Sequence, residues 1–421
     1  MAKKDSLLKN TFMLYLLTGS NYFFGLITVP YLTRVLGADI YGTIGFAMSF
    51  SVILQLVLDF GFQLSAVIDI ANNQNNHEQL EQIVTSVTLA KLMIIIPSLA
   101  IVVVLCNYIP RFNVDITLYL LYALFSALNA LVPDFFYRGM EDMSTVTLRN
   151  FAVKAVFASC IIVFVKEPSQ YLLVPIFYCL GSFVGLLIVL AHMKRSMNVW
   201  FTRVSFADVW NQLRRSALFF LSRAASTVYT SFNTIMLGIL FPSGPIVGYY
   251  SACNTVINAG QQAINPISGS LFPHIVRTKD IKLLHKVVII GESILIPVCL
   301  IAAYCAKPLC IMLFGADFAS AAPMLRIMLP LIPISLATYL YGWSGLGALG
   351  MERTANLSVV IGATVQMILL AVCWIYRIDN PYYICEITLV TESIVLLVRY
   401  VAMLKGLKRM NLMNDKTQQL Q

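Results

Sequence analysis

The chain has 421 residues, of which 59% are hydrophobic and only 12% are charged. Soluble domains carry about 25% charged residues, so this composition excludes an ordinary soluble protein and predicts an integral membrane protein. The net charge of +9 does not point to nucleic acid as a partner, because in a membrane protein an excess of Lys and Arg mainly sets the orientation of the spans.

Apolar segments long enough to cross a bilayer follow one another along the whole chain. Cutting the sequence at charged or Pro/Gly-rich joints gives roughly twelve spans of about twenty or more residues each. Their approximate limits are 11–33, 41–67, 84–108, 115–137, 144–165, 170–193, 213–240, 247–272, 284–305, 321–348, 355–377 and 381–404. The predicted fold class is therefore an all-α polytopic membrane protein.

Basic residues concentrate on one side of the predicted membrane. With the N-terminus in the cytoplasm, the external joints contain only Arg34, Arg111, Lys166, Lys307 and Arg377, and the other basic joint residues are internal. This asymmetry predicts an even number of spans, with both termini cytoplasmic. The cytoplasmic joint at 68–83 is an exception, since it contains no Lys or Arg.

The two halves of the chain resemble each other. The tripeptide Gly139-Met140-Glu141 follows the fourth span and recurs as Gly350-Met351-Glu352 after the tenth. An even number of spans between repeats makes them parallel, which predicts two six-helix bundles. Between them, Trp200, Phe201 and Trp210 lie among basic residues, as in an interfacial amphipathic segment. The expected organisation is an N-terminal lobe at 1–193, a cytoplasmic linker at 194–212, a C-terminal lobe at 213–404 and a cytoplasmic tail at 405–421.

Polar residues at helical spacing mark the seventh and eighth spans. The first polar stripe comprises Arg223, Ser226, Thr227, Thr230, Asn233 and Thr234. The second polar stripe comprises Ser251, Asn254, Thr255, Asn258, Gln261, Gln262 and Asn265. Such groups cannot face hydrocarbon cheaply, so they must face protein or water, and two neighbouring stripes favour a polar cavity. The alternative is interhelical hydrogen bonding that only holds helices together.

Ionisable residues inside the spans are further candidates for function. Asp59, Lys154, Arg223 and Glu292 lie about two turns or more inside the membrane, where lining a cavity and pairing internally are both open. Glu392 lies closest to the middle of its span, and pairing with Arg399 is its structural alternative. For Lys91 and Arg399, extension of the side chain to the nearby interface is the alternative.

Constellations of catalytic residues are absent from the sequence. The histidines lie in or beside joints, without the spacing of a zinc site or a triad. The sequence contains no phosphate-binding GxxxxGK[ST] motif, and its nine cysteines include no CxxC pair. We therefore expect a protein that is not an enzyme and has no cofactor or metal. Transport would then use an ion gradient or the gradient of the substrate itself.

Several segments together resemble one known family. Residues 25–47 (GLITVPYLTRVLGADIYGTIGFA), 58–66 (LDFGFQLSA), 133–141 (PDFFYRGME), 233–238 (NTIMLG), 247–252 (VGYYSA) and 271–273 (LFP) are similar to motifs of the polysaccharide transporter family. This family includes the flippases of O-antigen and other repeat units, called Wzx. It belongs to the multidrug/oligosaccharidyl-lipid/polysaccharide exporter (MOP) superfamily, so the resemblance implies a MATE-like fold.

The resemblance also implies a function and a cellular location. Such proteins move an undecaprenyl-diphosphate-linked oligosaccharide from the cytoplasmic to the periplasmic leaflet of the bacterial inner membrane by alternating access. The implied partners are this lipid-linked oligosaccharide, membrane lipid, a proton or sodium ion and other polysaccharide-assembly proteins.

Candidate residues can be assigned to these roles. A sugar needs amides and hydroxyls and a diphosphate needs cations, whereas a proton or sodium ion needs a buried carboxyl. The predicted cavity residues are Arg223, Thr227, Thr230, Asn233, Asn254, Asn258, Gln261, Lys154 and Lys91, of which the three cations are candidates for the diphosphate. The predicted ion-coupling residues are Asp59 and Glu392.

Three alternative functions stay open at this stage. A multidrug exporter of the same superfamily would need carboxylates and aromatic rings for a cationic drug, but this interior has as many cations. A glycan polymerase or ligase usually has a large external loop, which the sequence lacks. A passive scaffold in a glycan-assembly complex differs from a flippase only in a transport assay.

Overall fold

The computed structural model describes the backbone of residues 2–113, 115–242 and 244–419. Within those ranges, the structure does not describe the side chains of residues 2–12, 14, 15, 17, 21, 22, 110, 111, 221–223, 225–230, 266, 269, 270, 273 and 409–419. The described part of the chain is helical and contains no strand. The predicted all-α fold class is thus confirmed.

The first compact unit comprises Met1–Pro245. Its helices are α1 Ala2–Asp59, α2 Phe62–Asn72, α3 His77–Tyr108, α4 Pro110–Asn113, α5 Ile116–Leu131, α6 Asp134–Gly139, α7 Met143–Phe164, α8 Leu173–Ser196 and α9 Phe206–Leu240. A 3₁₀ turn, Pro168–Gln170, precedes α8. The apolar core includes Phe62, Val84, Phe136 and Met193, which are buried on four different helices.

The second compact unit comprises Ile246–Gln421. Its helices are α10 Ile246–Thr278, α11 Ile281–Tyr304, α12 Ala306–Phe314, α13 Ala322–Met328, α14 Leu331–Tyr339, α15 Leu346–Ala348, α16 Glu352–Ile375 and α17 Tyr382–Gln419. A 3₁₀ segment, Ala316–Ala321, precedes α13, and a π-helical segment, Leu340–Gly345, joins α14 to α15. The division into lobes at a linker of residues 194–212 stays a prediction, and α9 groups with the first unit.

Nine helices in the described residues are long and apolar enough to cross a membrane. The first of them, Thr18–Asn72, covers two predicted spans, with a non-helical residue, Gly37, between them (φ 72°, ψ 172°). The other two predicted spans correspond to α9 and α10, which include undescribed side chains. The chain is therefore a multi-pass membrane protein.

Two predicted spans are interrupted, which the sequence analysis did not anticipate. The second span breaks directly after Asp59, because Phe60 (φ 40°) and Gly61 (φ 80°) adopt left-handed backbone conformations. Glycine tolerates this conformation because it has no Cβ. The fourth span breaks at Pro133, which lies between α5 and α6. Both breaks lie beside charged residues, Asp59 and Asp134.

Polar side chains fix where several helices begin. Asn76, Asp115, Asp142 and Asp280 each accept a hydrogen bond from a backbone N–H in the first turn of α3, α5, α7 and α11. Such N-caps satisfy donors that the helix itself leaves unpaired. At the start of α9, the hydrogen bonds from Ser205 to Asp208 also lower the pKa of that carboxyl.

Candidate functional site

A buried lysine lies in the middle of the first unit. The Lys91 side chain is 1% exposed, and its Nζ donates a hydrogen bond to the Ala130 carbonyl oxygen at 2.5 Å. The same nitrogen lies 4.0 Å from Asp59 Oδ1 and 5.2 Å from the ring centre of Phe135. Extension of Lys91 to the membrane interface is therefore wrong. The break after Pro133 positions Phe135 in this contact, and the break after Asp59 ends α1 opposite the lysine.

A second, partly buried ion pair flanks this lysine. Arg149 Nη1 and Nη2 donate to the two carboxylate oxygens of Asp134, at 2.8 and 3.2 Å. This bidentate geometry is the strong form of a salt bridge. Asp134 also acts electrostatically on Lys91. Two cations and two carboxylates thus alternate across α1, α3, α6 and α7, so that the first unit contains a compact charged network.

Three acceptor oxygens in this region have no hydrogen-bond partner in the described structure. They are Gln55 Oε1, Asp59 Oδ1 and Gln63 Oε1, and all are buried. Their residues recur every four positions across the break after Asp59. Buried acceptors without a donor cost free energy, so a proton donor, water or a cation would stabilise this row of oxygens.

The break after Asp59 also creates a tight seam between α2 and α9. We call this the α2–α9 seam; it consists of Gly61, Ser65 and Asp69 on one side and residues 212–220 on the other. Ser65 Oγ lies 2.6 Å from Ser216 Oγ. Asp69 accepts hydrogen bonds from Gln212 Nε2 at 3.1 Å and from Arg215 Nη2 at 2.6 Å. The seam fixes the N-terminal half of α9 on the rest of the first unit.

The first polar stripe is only partly within the described residues. The side chains of Arg223, Thr227 and Thr230 lie outside the description, although their backbone is in α9. Asn233 is buried, with 2% of its surface exposed. Lys154, on α7, is half-buried. The structure therefore leaves the cavity roles of these residues as predictions.

The second polar stripe divides into engaged and unengaged amides within the second unit. Gln261 Nε2 donates to Ser335 Oγ on α14 at 2.7 Å, which is the interhelical hydrogen bond that the alternative interpretation expects. Asn265 donates to Gln262 on the same helix. Asn254 and Asn258 are half-buried and make no hydrogen bond among the described residues. These two asparagines are thus the better candidates for contact with a ligand.

Arg399 is the buried cation of the second unit. It is 6% exposed, and it donates from Nε to Ser358 Oγ and from Nη1 to the Thr338 carbonyl oxygen, both at 2.8 Å. Its extension to the interface is therefore wrong. Glu392, two turns earlier on α17, is half-buried, and its coupling role stays a prediction.

The sequence analysis singled out charged residues within spans but did not predict the ion pairs that other charged residues form. Asp134 and Arg149 are in the sequence with an obvious complementarity of charge, but they lie at a span end and a span start, where basic residues usually set topology. Similarly, Asp69 lies in the joint that lacks Lys and Arg, and its cation is supplied by Arg215 from the following half of the chain. A search for acids in base-poor joints could have suggested such a partner.

Comparison with known proteins identifies relatives of this chain. A family described as "Polysaccharide biosynthesis protein" matches residues 7–279. A protein of Escherichia coli (strain K12) is 27% identical over 294 residues, which is 69% of this chain and 70% of that protein. A protein of Shigella dysenteriae is 24% identical over 365 residues, or 86% and 91% of the two chains. Both are named "Putative O-antigen transporter", which agrees with the expectation of a protein that is not an enzyme.

Solved structures share the fold at low sequence identity. The lipid II flippase MurJ in an inward closed conformation aligns with a TM-score of 0.67 and 13% identity over 96% of this chain and 90% of that chain. An inward-facing MATE multidrug resistance transporter of the MOP superfamily aligns with a TM-score of 0.65 and 12% identity over 93% and 95%. These similarities confirm the MATE-like fold. The family match over most of the sequence leads to one further conclusion: the chain belongs to the polysaccharide biosynthesis protein family, as its resemblance to the polysaccharide transporters indicated.

Proposed function

We propose that the chain is a flippase that moves an undecaprenyl-diphosphate-linked oligosaccharide from the cytoplasmic to the periplasmic leaflet. The observation that carries this proposal is the similarity to two proteins named "Putative O-antigen transporter" over 69% and 86% of the chain. The fold shared with a lipid II flippase supports it. The proposed location is the bacterial inner membrane with both termini in the cytoplasm. The proposed partners include other polysaccharide-assembly proteins.

Three cations are proposed to bind the diphosphate, and Lys91 is the one whose surroundings the structure describes best. It is a point charge with three donors, and among the described residues the acceptor of its hydrogen bond is the Ala130 carbonyl oxygen. Its carboxylate neighbour, Asp59, lies at the longer distance of 4.0 Å. A diphosphate oxygen can therefore replace Asp59 without breaking a short contact. Lys154 and Arg223 are proposed to bind the diphosphate after it leaves Lys91.

Asp59 is the proposed coupling residue, with Glu392 as the second candidate. At 4.0 Å the attraction between two unit charges is about 4 kcal/mol for an effective dielectric constant of ~20. Protonation of Asp59 removes this attraction and frees Lys91 for the diphosphate. A proton would also give Asp59 a donor for the neighbouring glutamine oxygens, which have no partner in the described structure. A sodium ion could bind the same oxygens.

The oligosaccharide itself needs amides that are not already engaged. Asn254 and Asn258 meet this requirement, whereas Gln261 is bonded to Ser335. Arg223, Thr227, Thr230 and Asn233 complete the proposed cavity. In this proposal, Gln261 has a structural role. Removal of its amide should therefore lower the stability of the protein and leave its affinity for the sugar unchanged.

Transport by purified protein in proteoliposomes tests the proposal. Vesicles containing a lipid-linked oligosaccharide are assayed for its exposure on the opposite leaflet, with and without a pH or sodium gradient. We expect wild-type protein to transport and Lys91→Gln to transport at least tenfold more slowly. Lys166→Gln is the matched control, because Lys166 is exposed and outside the network. A lack of transport by well-folded wild-type protein would refute the flippase proposal.

The coupling residue is tested in the same vesicles. Asp59→Asn imitates the protonated carboxyl, so we expect transport that no longer responds to the gradient but still occurs at the passive rate. Glu392→Gln should abolish the response instead if the coupling site lies in the second unit. Gradient-driven transport at the wild-type rate in both variants would show that neither carboxyl couples transport.

A further inference from the structure

The connection between α8 and α9 is fixed on the first unit by its backbone. The Trp200 N–H donates a hydrogen bond to Glu81 Oε1 at 3.1 Å, and the Thr202 N–H donates one to Thr85 Oγ1 at 3.0 Å. Both acceptors lie on α3, and the neighbouring Val199 side chain is buried in the apolar core. The exposed side chains of residues 194–214 therefore have defined positions on this unit, and we call them the α8–α9 surface.

Large aromatic side chains form the apolar part of the α8–α9 surface. All of them are exposed, and they are Trp200, Phe201, Phe206 and Trp210. The last two lie four positions apart on α9 and so share one face of that helix, and the ring centres of Trp200 and Phe201 are 5.0 Å apart. The predicted spans end at 193 and resume at 213, which places these rings between two spans. Exposed aromatic rings in such a position are typical of a segment at the interface between water and hydrocarbon.

Basic side chains lie among these rings. All of them are exposed, and they are Lys194, Arg195, Arg203 and Arg214. None of the four forms an ion pair with, or donates a hydrogen bond to, another residue in the described part of the chain. The ammonium nitrogen of Lys194 lies 4.8 Å from the centre of the Trp200 ring. The cations and the rings thus belong to the same surface.

The carboxylates that contact this segment are engaged by local hydrogen bonds. Asp208 accepts from the hydroxyl and the N–H of Ser205, at 2.7 and 3.0 Å, and Glu81 accepts from the N–H of Trp200. The four cations outnumber these two carboxylates, so the α8–α9 surface is positively charged. The orientation of the spans requires only the cations. A fixed backbone and four exposed aromatic rings indicate in addition a surface that binds a partner.

We propose that the α8–α9 surface binds anionic phospholipids, such as phosphatidylglycerol, through their phosphate groups. A Lys or Arg side chain near an anionic lipid surface is attracted to it, and aromatic rings enter the boundary between headgroups and acyl chains. An acidic protein would also neutralise the cations, but the surface continues directly into α8 and the predicted span 213–240, so lipid headgroups lie beside it. None of its residues belongs to the proposed glycan site. The lipid site can therefore be present or absent independently of glycan transport.

Quenching of tryptophan fluorescence by brominated lipids tests the proposal. The chain contains four tryptophans, so in full-length protein with Trp343→Phe and Trp374→Phe the emission comes from Trp200 and Trp210. This protein is reconstituted into vesicles of equimolar phosphatidylglycerol and phosphatidylcholine, in which bromine labels the acyl chains of either one lipid or the other. We expect brominated phosphatidylglycerol to quench at least about twofold more strongly, because the cations enrich this lipid beside the rings. Equal quenching by the two labels would overturn the proposal, and so would quenching by neither, as a protein partner or water around the rings would give.

Variants without the cations separate charge from apolar contact. The charge variant replaces three exposed cations of the α8–α9 surface: Lys194→Gln, Arg195→Gln and Arg203→Gln. The matched control replaces three exposed lysines of the second unit: Lys279→Gln, Lys282→Gln and Lys286→Gln. We expect the charge variant to lose most of the preference for phosphatidylglycerol and the control to keep it, and a preference that persists in the charge variant would overturn the proposal. Wild-type protein should show the same preference, reduced by the emission of the two other tryptophans. Its absence there would overturn the proposal even where a variant folds poorly.

Discussion

Gly61→Ala tests whether the α2–α9 seam depends on the missing Cβ. An added Cβ would lie 2.6 Å from the Ser216 carbonyl oxygen and 2.7 Å from the Phe220 backbone nitrogen. Backbone atoms cannot move aside as a side chain can, so overpacking should cost about 1–3 kcal/mol. The left-handed backbone (φ 80°) adds about 1–2 kcal/mol for alanine. We therefore expect Gly61→Ala to destabilise the protein by ~2–5 kcal/mol.

Gly350→Ala separates the two contributions. Gly350 has a similar left-handed backbone (φ +67°), but nothing lies within 4 Å of its added Cβ, so only the backbone cost applies. The assay is thermal unfolding of both purified variants in detergent. A difference of about 2 kcal/mol should make the midpoint of Gly61→Ala roughly 4–8 °C lower than that of Gly350→Ala, at about 2–4 °C per kcal/mol for a unit of this size. Equal midpoints would refute the close approach of α9 to Gly61.

Three further predictions concern the buried polar contacts. Lys91→Met leaves Asp59 buried beside no cation, so we expect the free energy of unfolding, measured by thermal unfolding, to fall by about 3–5 kcal/mol. The double variant with Asp59→Asn should recover part of this loss, whereas additive losses would contradict the pairing of the two residues. Ser65→Cys with Ser216→Cys replaces hydroxyls that lie 2.6 Å apart and should form a disulfide on oxidation, seen by mass spectrometry as linked peptides; separate peptides would place the helices further apart. Arg399→Lys cannot reproduce both hydrogen bonds of the guanidinium, so it should lower the free energy of unfolding by about 1–3 kcal/mol. An unchanged midpoint of thermal unfolding would show that these hydrogen bonds do not stabilise the protein.

Segment length and hydropathy predicted most of the fold, because the bilayer imposes the same length on every span. Predicted spans 144–165 and 355–377 correspond to α7 and α16 within a few residues. The interruptions were not predictable in this way. Gly61 has a phenylalanine on both sides, and the helix that approaches its left-handed backbone closely, α9, is distant in sequence. The π-helical segment Leu340–Gly345 likewise depends on packing that hydropathy does not report.

Prediction of the candidate site succeeded for single residues and not for pairs. Asp59 and Lys91 were each singled out by their position within a span, since a charge there needs a reason. Their proximity could not be inferred, because α1 and α3 are brought together by tertiary packing. Extension to the interface was a reasonable expectation for Lys91 by distance alone. It failed because the Ala130 carbonyl and the Phe135 ring give the ammonium a buried environment that a hydropathy window does not register.

The α2–α9 seam has a consequence for how the protein enters the membrane during synthesis. Helix α9 carries Arg214, Arg215 and Arg223, and an arginine at the centre of a helix costs about 2.5–3.5 kcal/mol on translocon-insertion scales. Its packing partners α1, α2 and α3 all leave the ribosome earlier. The already inserted helices thus offer Asp69 and Ser65 as a receiving surface for a helix that inserts poorly by itself. Gly61→Ala should accordingly increase the fraction of nascent chains in which residues 206–240 stay accessible to protease, and an unchanged fraction would show that α9 inserts without this surface.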